Sequence, residues 1–142
     1  MPSITGISHV DLSVTDLAAS EAWYSQLLGA VRLFGGRNEA HGLDVVYLVE
    51  PSSLVVLGLE QHDAVTGGPF DERRVGLDHL SFNVSSREEL DAWVARLDEL
   101  GIAHGGITEQ DSWDVLVFRD PDNIQLELFF LKVDAASLLP QS

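Results

Sequence analysis

Three residues of this 142-residue chain could together hold a metal ion: His9, His79 and Glu127. The histidines are linked by an internal repeat. When the stretch from Ile7 to Leu28 is set against that from Leu77 to Asp98, an offset of 70 residues, His9 meets His79. Val14 then meets Val84, Trp23 meets Trp93 and Leu27 meets Leu97. Two similar modules commonly pack about an approximate two-fold axis, which can bring equivalent positions to one point. Glu127 lies in the apolar run Ile124 to Leu131, where a carboxylate is costly to bury unless paired, protonated or metal-bound. Two imidazoles and one carboxylate are the donors of the facial triad, which leaves positions open for water, oxygen or substrate. Zinc accepts the same set. Alone, a strand histidine is more often a satisfied polar residue than a ligand, and Glu127 could face solvent from an edge strand. Recurrence at the matched position favours the metal reading.

The elements that must position these groups follow from periodicity. In the run Ile7 to Val14, residues Val10, Leu12 and Val14 point one way and His9, Asp11 and Ser13 the other. The second copy turns Leu80, Phe82 and Val84 one way and His79, Ser81 and Asn83 the other. A helix follows each strand. Ser86-Arg87-Glu88-Glu89 is a capping-box pattern before Leu90, Trp93, Val94 and Leu97, and Gly101 suits the residue that ends a helix. In the first copy Thr15 or Asp16 caps, Leu17, Tyr24, Leu27 and Leu28 form the stripe, and Gly29 closes. Trp23 and Trp93 read as core anchors. Further β-like runs are Val31 to Phe34, Leu43 to Val49, Leu54 to Leu59, a weak one near Ile102-Ala103, Asp114 to Arg119, and Ile124 to Leu131. The turn Asp120-Pro121-Asp122-Asn123 joins the last two. Alternation along the final strand puts Gln125, Glu127, Phe129 and Leu131 on one face. The pattern is α+β, with two βαβββ modules over about 4–62 and 76–132, a linker over 63–75 and a tail over 133–142.

Composition narrows the function. The formal net charge of −15 makes nucleic acid and anionic membrane surfaces poor partners. With no cysteine, disulfides, thiolate metal sites and cysteine nucleophiles are excluded. Neither a signal-peptide pattern nor an apolar run long enough for a bilayer is expected, and a cytoplasmic location is the default.

The chain resembles the vicinal oxygen chelate superfamily, which includes glyoxalases, bleomycin-resistance proteins, extradiol dioxygenases and methylmalonyl-CoA epimerases. The resemblance runs from about Ile4 to Lys132. It is carried by Ile7-Ser8-His9-Val10, Asp16-Leu17-Ala18, Trp23-Tyr24, Leu77-Asp78-His79-Leu80-Ser81-Phe82, and Phe118 through Leu128 with its Asp-Pro-Asp turn. The family turn usually carries a glycine that this chain lacks, a departure expected to shorten the hairpin. The resemblance implies a U-shaped mixed sheet around a cavity with helices on the outer face, and metal ligands at His9, His79 and Glu127. It also implies a homodimer as the common assembly, sometimes with ligands drawn from two chains. Isomerases and epimerases of the family usually add a fourth ligand near the position of Gly58, with Glu60 two residues further on. Glycine cannot ligate, so the pattern resembles the extradiol dioxygenases more.

Two functions follow as expectations. One is a metal-dependent lyase, isomerase or ring-cleaving dioxygenase, binding a divalent ion (Fe2+, Mn2+, Ni2+, Co2+ or Zn2+) and a small oxygen-bearing substrate. Tyr47, Glu60 and His62 are its weak acid–base candidates, while His62, like His41, sits in a loop-like context. The other is a bleomycin-resistance-type protein that sequesters a small molecule without catalysis. Phe34, Tyr47, Trp113 and Phe129 would stack on a flat ligand, although most such aromatics are core residues.

Overall fold

The computed structural model describes residues 2–139, which divide into two compact units between Gly68 and Pro69. The first unit contains strand β1 (Val10–Ser13), helix α1 (Leu17–Leu28) and strands β2 (Val31–Asn38), β3 (Leu43–Val49) and β4 (Val56–His62). The second contains β5 (Leu80–Asn83), α2 (Arg87–Glu99), β6 (His104–Glu109), β7 (Trp113–Arg119) and β8 (Gln125–Leu131), followed by a 3₁₀ turn over Ala135–Leu138. Each unit is thus a βαβββ module. Its four strands form one mixed sheet, in the order β1-β4-β3-β2 or β5-β8-β7-β6. The first and last strands of each module run parallel, and the remaining neighbours are antiparallel. No described helix is long and apolar enough to cross a membrane.

Both helices are closed by local chemistry. Asp16 accepts the Ala19 N–H at 3.0 Å and Ser86 Oγ accepts that of Glu89 at 3.2 Å, satisfying donors that a helix start leaves free. Gln61 Oε1 accepts the Leu17 N–H at 2.7 Å and so pins the start of α1 to β4. Gly29 and Gly101, at φ 66° and 67°, end the helices in the left-handed region. After α2 the N–H groups of Gly101 and Ile102 return to Asp98 and Leu97, which fits a Schellman ending.

One face of each sheet packs on its helix. Leu12, Val14, Val46, Leu48, Leu57 and Leu59 bury against Tyr24 and Leu27 in the first unit. Leu116, Phe118, Leu126 and Leu128 bury against Leu90 and Leu97 in the second. Tyr24 is the fully buried aromatic of α1, whereas Trp23 and Trp93 are partly buried. The only polar side chains among the fully buried ones described are Ser20 and Asp114. Asp114 lies on the helix side of β7, where Lys132 at 2.6 Å and Arg87 at 3.4 Å hold its carboxyl below the ordinary range.

Several boundaries differ from the sequence reading. Ladder pairing begins at Val10 and Leu80, so His9 and His79 each stand one residue before their strand. β2 extends through Gly35-Gly36 to Asn38, beyond the expected end at Phe34. The weak run near Ile102-Ala103 is instead a strand from His104 to Glu109, irregular between His104 and Ile107. β4 starts at Val56 because Ser52 and Ser53 donate to the Glu50 carboxylate and Leu54 turns at φ 59°. His62 ends β4 rather than lying in a loop.

The turn into β8 closes without a glycine. Asn123 itself adopts φ 69°, a conformation asparagine tolerates. Asp120 Oδ1 accepts the N–H groups of Asp122 at 2.9 Å and Ile124 at 2.7 Å. The segment after Pro69 is tied to this turn: Asn123 Nδ2 donates to the Phe70 carbonyl, and Phe70 N–H to the Asp122 carbonyl. Arg119 grips Glu72 through both terminal nitrogens, at 2.8 and 3.0 Å, and donates to the Asn123 carbonyl.

Two outcomes are expected. Leu126→Ala, at a site with no solvent exposure, costs about 2–5 kcal/mol in urea unfolding. The Arg119 hydrogen bonds hold Glu72 at a pKa of about 2, below its ordinary 4.5. A depressed carboxylate stabilises the fold at pH above its unfolded value and loses that contribution as pH falls through the folded one. The stability gap between wild type and Glu72→Gln should therefore be full above about pH 4.5 and close toward pH 2, with unfolding midpoints across pH as the measurement.

Candidate functional site

On each sheet, the face away from the helix carries the polar and aromatic groups. Cross-strand pairing aligns them in rows. In the first unit one row runs Phe34 on β2, Tyr47 on β3, Gly58 on β4 and Asp11 on β1. The corresponding row of the second unit contains Val117 on β7, Glu127 on β8 and Ser81 on β5. Residues paired across a sheet share a face, so each row is a line of neighbouring side chains. Register makes Gly58 the counterpart of Glu127.

In the second unit His79 and Glu127 come together. His79 Nε2 lies 3.5 Å from Glu127 Oε2, and the glutamate side chain is only 15% exposed. The other ring nitrogen, Nδ1, is 2.7 Å from Asp78 Oδ1. A carboxylate there accepts from Nδ1–H, and Nε2 is the ring nitrogen that faces Glu127. Gln125 Nε2 stands 3.5 Å from Glu127 Oε1, and Gln125 Oε1 accepts from Arg119 at 3.0 Å. A continuous line thus runs from Asp78 through His79, Glu127, Gln125 and Arg119 to Glu72. Trp113 and Phe129 stack on the same face, with centroids 6.3 Å apart, and Trp113 is 42% exposed.

In the first unit His9 Nδ1 lies 3.0 Å from Ser8 Oγ, and Nε2 lies 3.9 Å from Asp11 Oδ2. The Tyr47 ring meets the imidazole edge-on at 5.8 Å, and its hydroxyl donates to Asp11 Oδ2 at 3.0 Å. Burial raises the Tyr47 pKa above its ordinary value, and the neighbouring Asp11 and Glu60 carboxylates add to the rise. Phe34, 60% exposed, lies against Tyr47 at 4.7 Å. Glu60 and His62 pair with each other at 3.7 Å further along β4. His41 lies 3.2 Å from Asn38 in the β2–β3 turn. His104 was not singled out from sequence; its Nε2 is 3.1 Å from Asp98 and its Nδ1 accepts the Gly106 N–H, a bracing role at the start of β6.

Among the described residues no three His, Cys, Asp or Glu side chains group as a metal site. The His79–Glu127 pair comes nearest to the spacing of two ligands on one ion. Two donor atoms each about 2.1 Å from an ion, at tetrahedral or octahedral angles, stand roughly 3.0–3.4 Å apart. The 3.5 Å between His79 Nε2 and Glu127 Oε2 is close to that separation. Asp78 supplies the second carboxylate that metal-bound histidines commonly use. An open cavity of about 520 Å³ in the second unit is lined by Phe70, Glu72, Arg73, Arg74, Arg119 and Asn123, and there Glu72 engages Arg119 and Asp71 engages Arg73.

Comparison with known proteins identifies the fold and the family. A structure of a glyoxylase/bleomycin resistance protein/dioxygenase domain from Frankia sp. EAN1pec is 39% identical, with a TM-score of 0.83 over 91% of this chain and 93% of that one. The fosfomycin resistance protein FosX of Listeria monocytogenes shares the fold at 19% identity, with a TM-score of 0.70 over 96% of this chain and all of that one. The metallothiol transferase FosB of Bacillus licheniformis is 27% identical over 128 residues, 88% of this chain and 75% of the relative. FosB of Staphylococcus epidermidis is also 27% identical, over 88% of this chain and 81% of the relative. Residues 6–128 match the model of the Glyoxalase/Bleomycin resistance protein/Dioxygenase superfamily, and the chain belongs to that family.

Proposed function

We propose that this protein is a metal-dependent enzyme acting on a small substrate that offers oxygen donors, with His9, His79 and Glu127 as the metal ligands. The observation that carries this reading is the His79–Glu127 pair, backed by Asp78. A carboxylate 15% exposed on a leucine-rich strand, with an imidazole nitrogen 3.5 Å away, forms a donor pair that a cation would join. The sequence relatives named metallothiol transferases support metal use, since their name states it.

A divalent ion held there supplies Lewis-acid polarisation of a substrate oxygen. The remaining roles belong to the chain. Asp78 keeps the His79 proton on Nδ1 and so keeps Nε2 free to ligate. Gln125 and Arg119 steady the Glu127 carboxylate from the side of the turn. Tyr47, its pKa raised, retains its proton at neutral pH and directs it to Asp11. The exposed pairs Phe34–Tyr47 and Trp113–Phe129 offer flat apolar surface for the organic part of a substrate. Those same pairs favour a second reading, sequestration of a flat small molecule without chemistry.

Protein purified without chelator, or reconstituted with Mn2+ or Zn2+, should carry stoichiometric metal by elemental analysis. His79→Ala and Glu127→Ala should lose it. Asp78→Ala should weaken it by about 10–100-fold, as losses of such outer carboxylates do. Protein that takes up no divalent metal after reconstitution, yet binds a polycyclic ligand equally with and without chelator, would replace the enzyme by the sequestering protein.

A further inference from the structure

The cavity of about 520 Å³ is built within the second unit by residues 69–74 and by the turn that runs from Arg119 to Asn123. Hydrogen bonds fix its walls. Asn123 Nδ2 donates to the Phe70 carbonyl at 2.9 Å, and the Arg74 N–H donates to the Asp71 carbonyl at 3.0 Å, closing a tight turn. Asp71 Oδ1 also accepts the Arg73 N–H at 3.0 Å. That turn brings Arg73 and Arg74 to the cavity that Arg119 lines. Three of the eight lysines and arginines of a chain with net charge −15 therefore line one cavity, against two acids, Asp71 and Glu72. An acidic protein repels anions over most of its surface, so a cavity with a positive balance is where one can bind.

The Glu72 side chain shows the geometry an anion would take. Its two carboxylate oxygens rest on the two terminal nitrogens of Arg119, at 2.8 and 3.0 Å, the two-pronged arrangement by which a guanidinium holds carboxylates and phosphates. The two side chains are 35% and 34% exposed, and an ion pair so open to water contributes little. Glu72 is thus exchangeable for an oxyanion from solution. We propose that this cavity is an oxyanion site for the carboxylate or phosphate group of a small molecule, in which Arg119 exchanges Glu72 for the ligand and Arg73 and Arg74 add charge from the turn. Pro69 and Phe70 line the same cavity and give the organic part an apolar wall. The volume falls inside the roughly 300–1,000 Å³ of small-molecule sites. The inference does not depend on a metal. Arg119 nevertheless touches Gln125 at 3.0 Å, and the Gln125 amide stands 3.5 Å from Glu127, so the anchor of the ligand is linked to the His79–Glu127 pair through one side chain.

The test is a nuclear magnetic resonance titration of the 15N-labelled full chain, freed of metal on a chelating resin, with benzoate and separately with inorganic phosphate at constant ionic strength. Amide shifts should move at 70–74, 119 and 123, and should saturate. Glu72, held at a pKa of about 2, is ionised at neutral pH and competes with the ligand. Glu72→Gln should therefore tighten binding by about two- to fivefold, the scale of an exposed ion pair. Arg119→Lys keeps the charge but loses the fork, and should weaken binding by roughly tenfold. Because Arg119 also ties down the turn into β8, the double variant Arg73→Gln with Arg74→Gln, at two exposed positions, gives a second reading. It should weaken binding by roughly threefold while leaving thermal unfolding unchanged. Saturation by benzoate alone marks the ligand as an organic carboxylate, and saturation by phosphate alone marks it as a phosphorylated molecule; either supports the site. Shifts that fail to appear or to saturate with both probes, or that are the same in wild type, Glu72→Gln and the double variant, overturn it.

Discussion

Glu127 is surrounded along its strand by Leu126, Leu128, Phe129 and Phe130, and only the alternation of the strand keeps its carboxylate out of the core. Leu126 and Leu128 are buried on the face that meets α2, while Gln125 and Glu127 emerge on the other. A slip of one residue would exchange the two faces, driving a carboxylate into the helix interface and two leucines into water. The register of β8 is thus a condition for both the core and the candidate site. It is held at the start of the strand, where Asp120 gathers two backbone N–H groups, Asn123 takes the left-handed turn, and Arg119 with Phe70 ties the following segment down. Turn, tie and site are parts of one construction. Arg119 connects them physically, reaching Glu72 on one side and Gln125, next to Glu127, on the other.

The same logic explains what could be read from the sequence. The repeat, the strand alternation and the helix caps are local patterns of period two or 3.6, and they produced both βαβββ modules with most cores correct. The approach of His79 to Glu127 was partly legible, because an imidazole recurs at a matched position and an acid interrupts an apolar strand. β6 was nearly illegible: Gly105 and Gly106 supply no strand pattern, Gly106 stands at φ 81°, and the ladder is irregular there. β2 ran past its expected end for the same reason, since Gly35 and Gly36 interrupt the apolar run while the backbone still pairs with β3. Helical spacing places both Trp23 and Tyr24 near the stripe, and the two differ in depth: Tyr24 is fully buried and Trp23 partly so. Only packing decides that Tyr24 goes inward and that the indole lies beside it, edge to face at 4.8 Å.

Asp11 shows where sequence reasoning runs out. That it shares a face with His9 follows from alternation. That its carboxylate rests above Gly58 depends on a parallel pairing between strands almost fifty residues apart, with Asp11 matched to Gly58 rather than to a neighbour. Nothing local specifies that match. Glycine in the middle of a strand weakens it and commonly marks close approach by another group. Here the approaching group is an acid, and a tyrosine hydroxyl holds it in place.

Duplicated modules invite comparison position by position, and that comparison sets Gly58 against Glu127 and finds only a loss. Comparison row by row gives a different result. A row across a sheet is a physical neighbourhood, since paired residues stand close enough to occupy the same space on one face. In both modules the row holds one acid and, across the parallel pair, one residue small enough to admit it: Glu127 with Ser81, Asp11 with Gly58. What the two halves share is therefore a carboxylate beside a histidine, not a carboxylate at a fixed position in the chain. The halves differ in the strand that carries the charge and agree in placing that charge within 4 Å of an imidazole nitrogen.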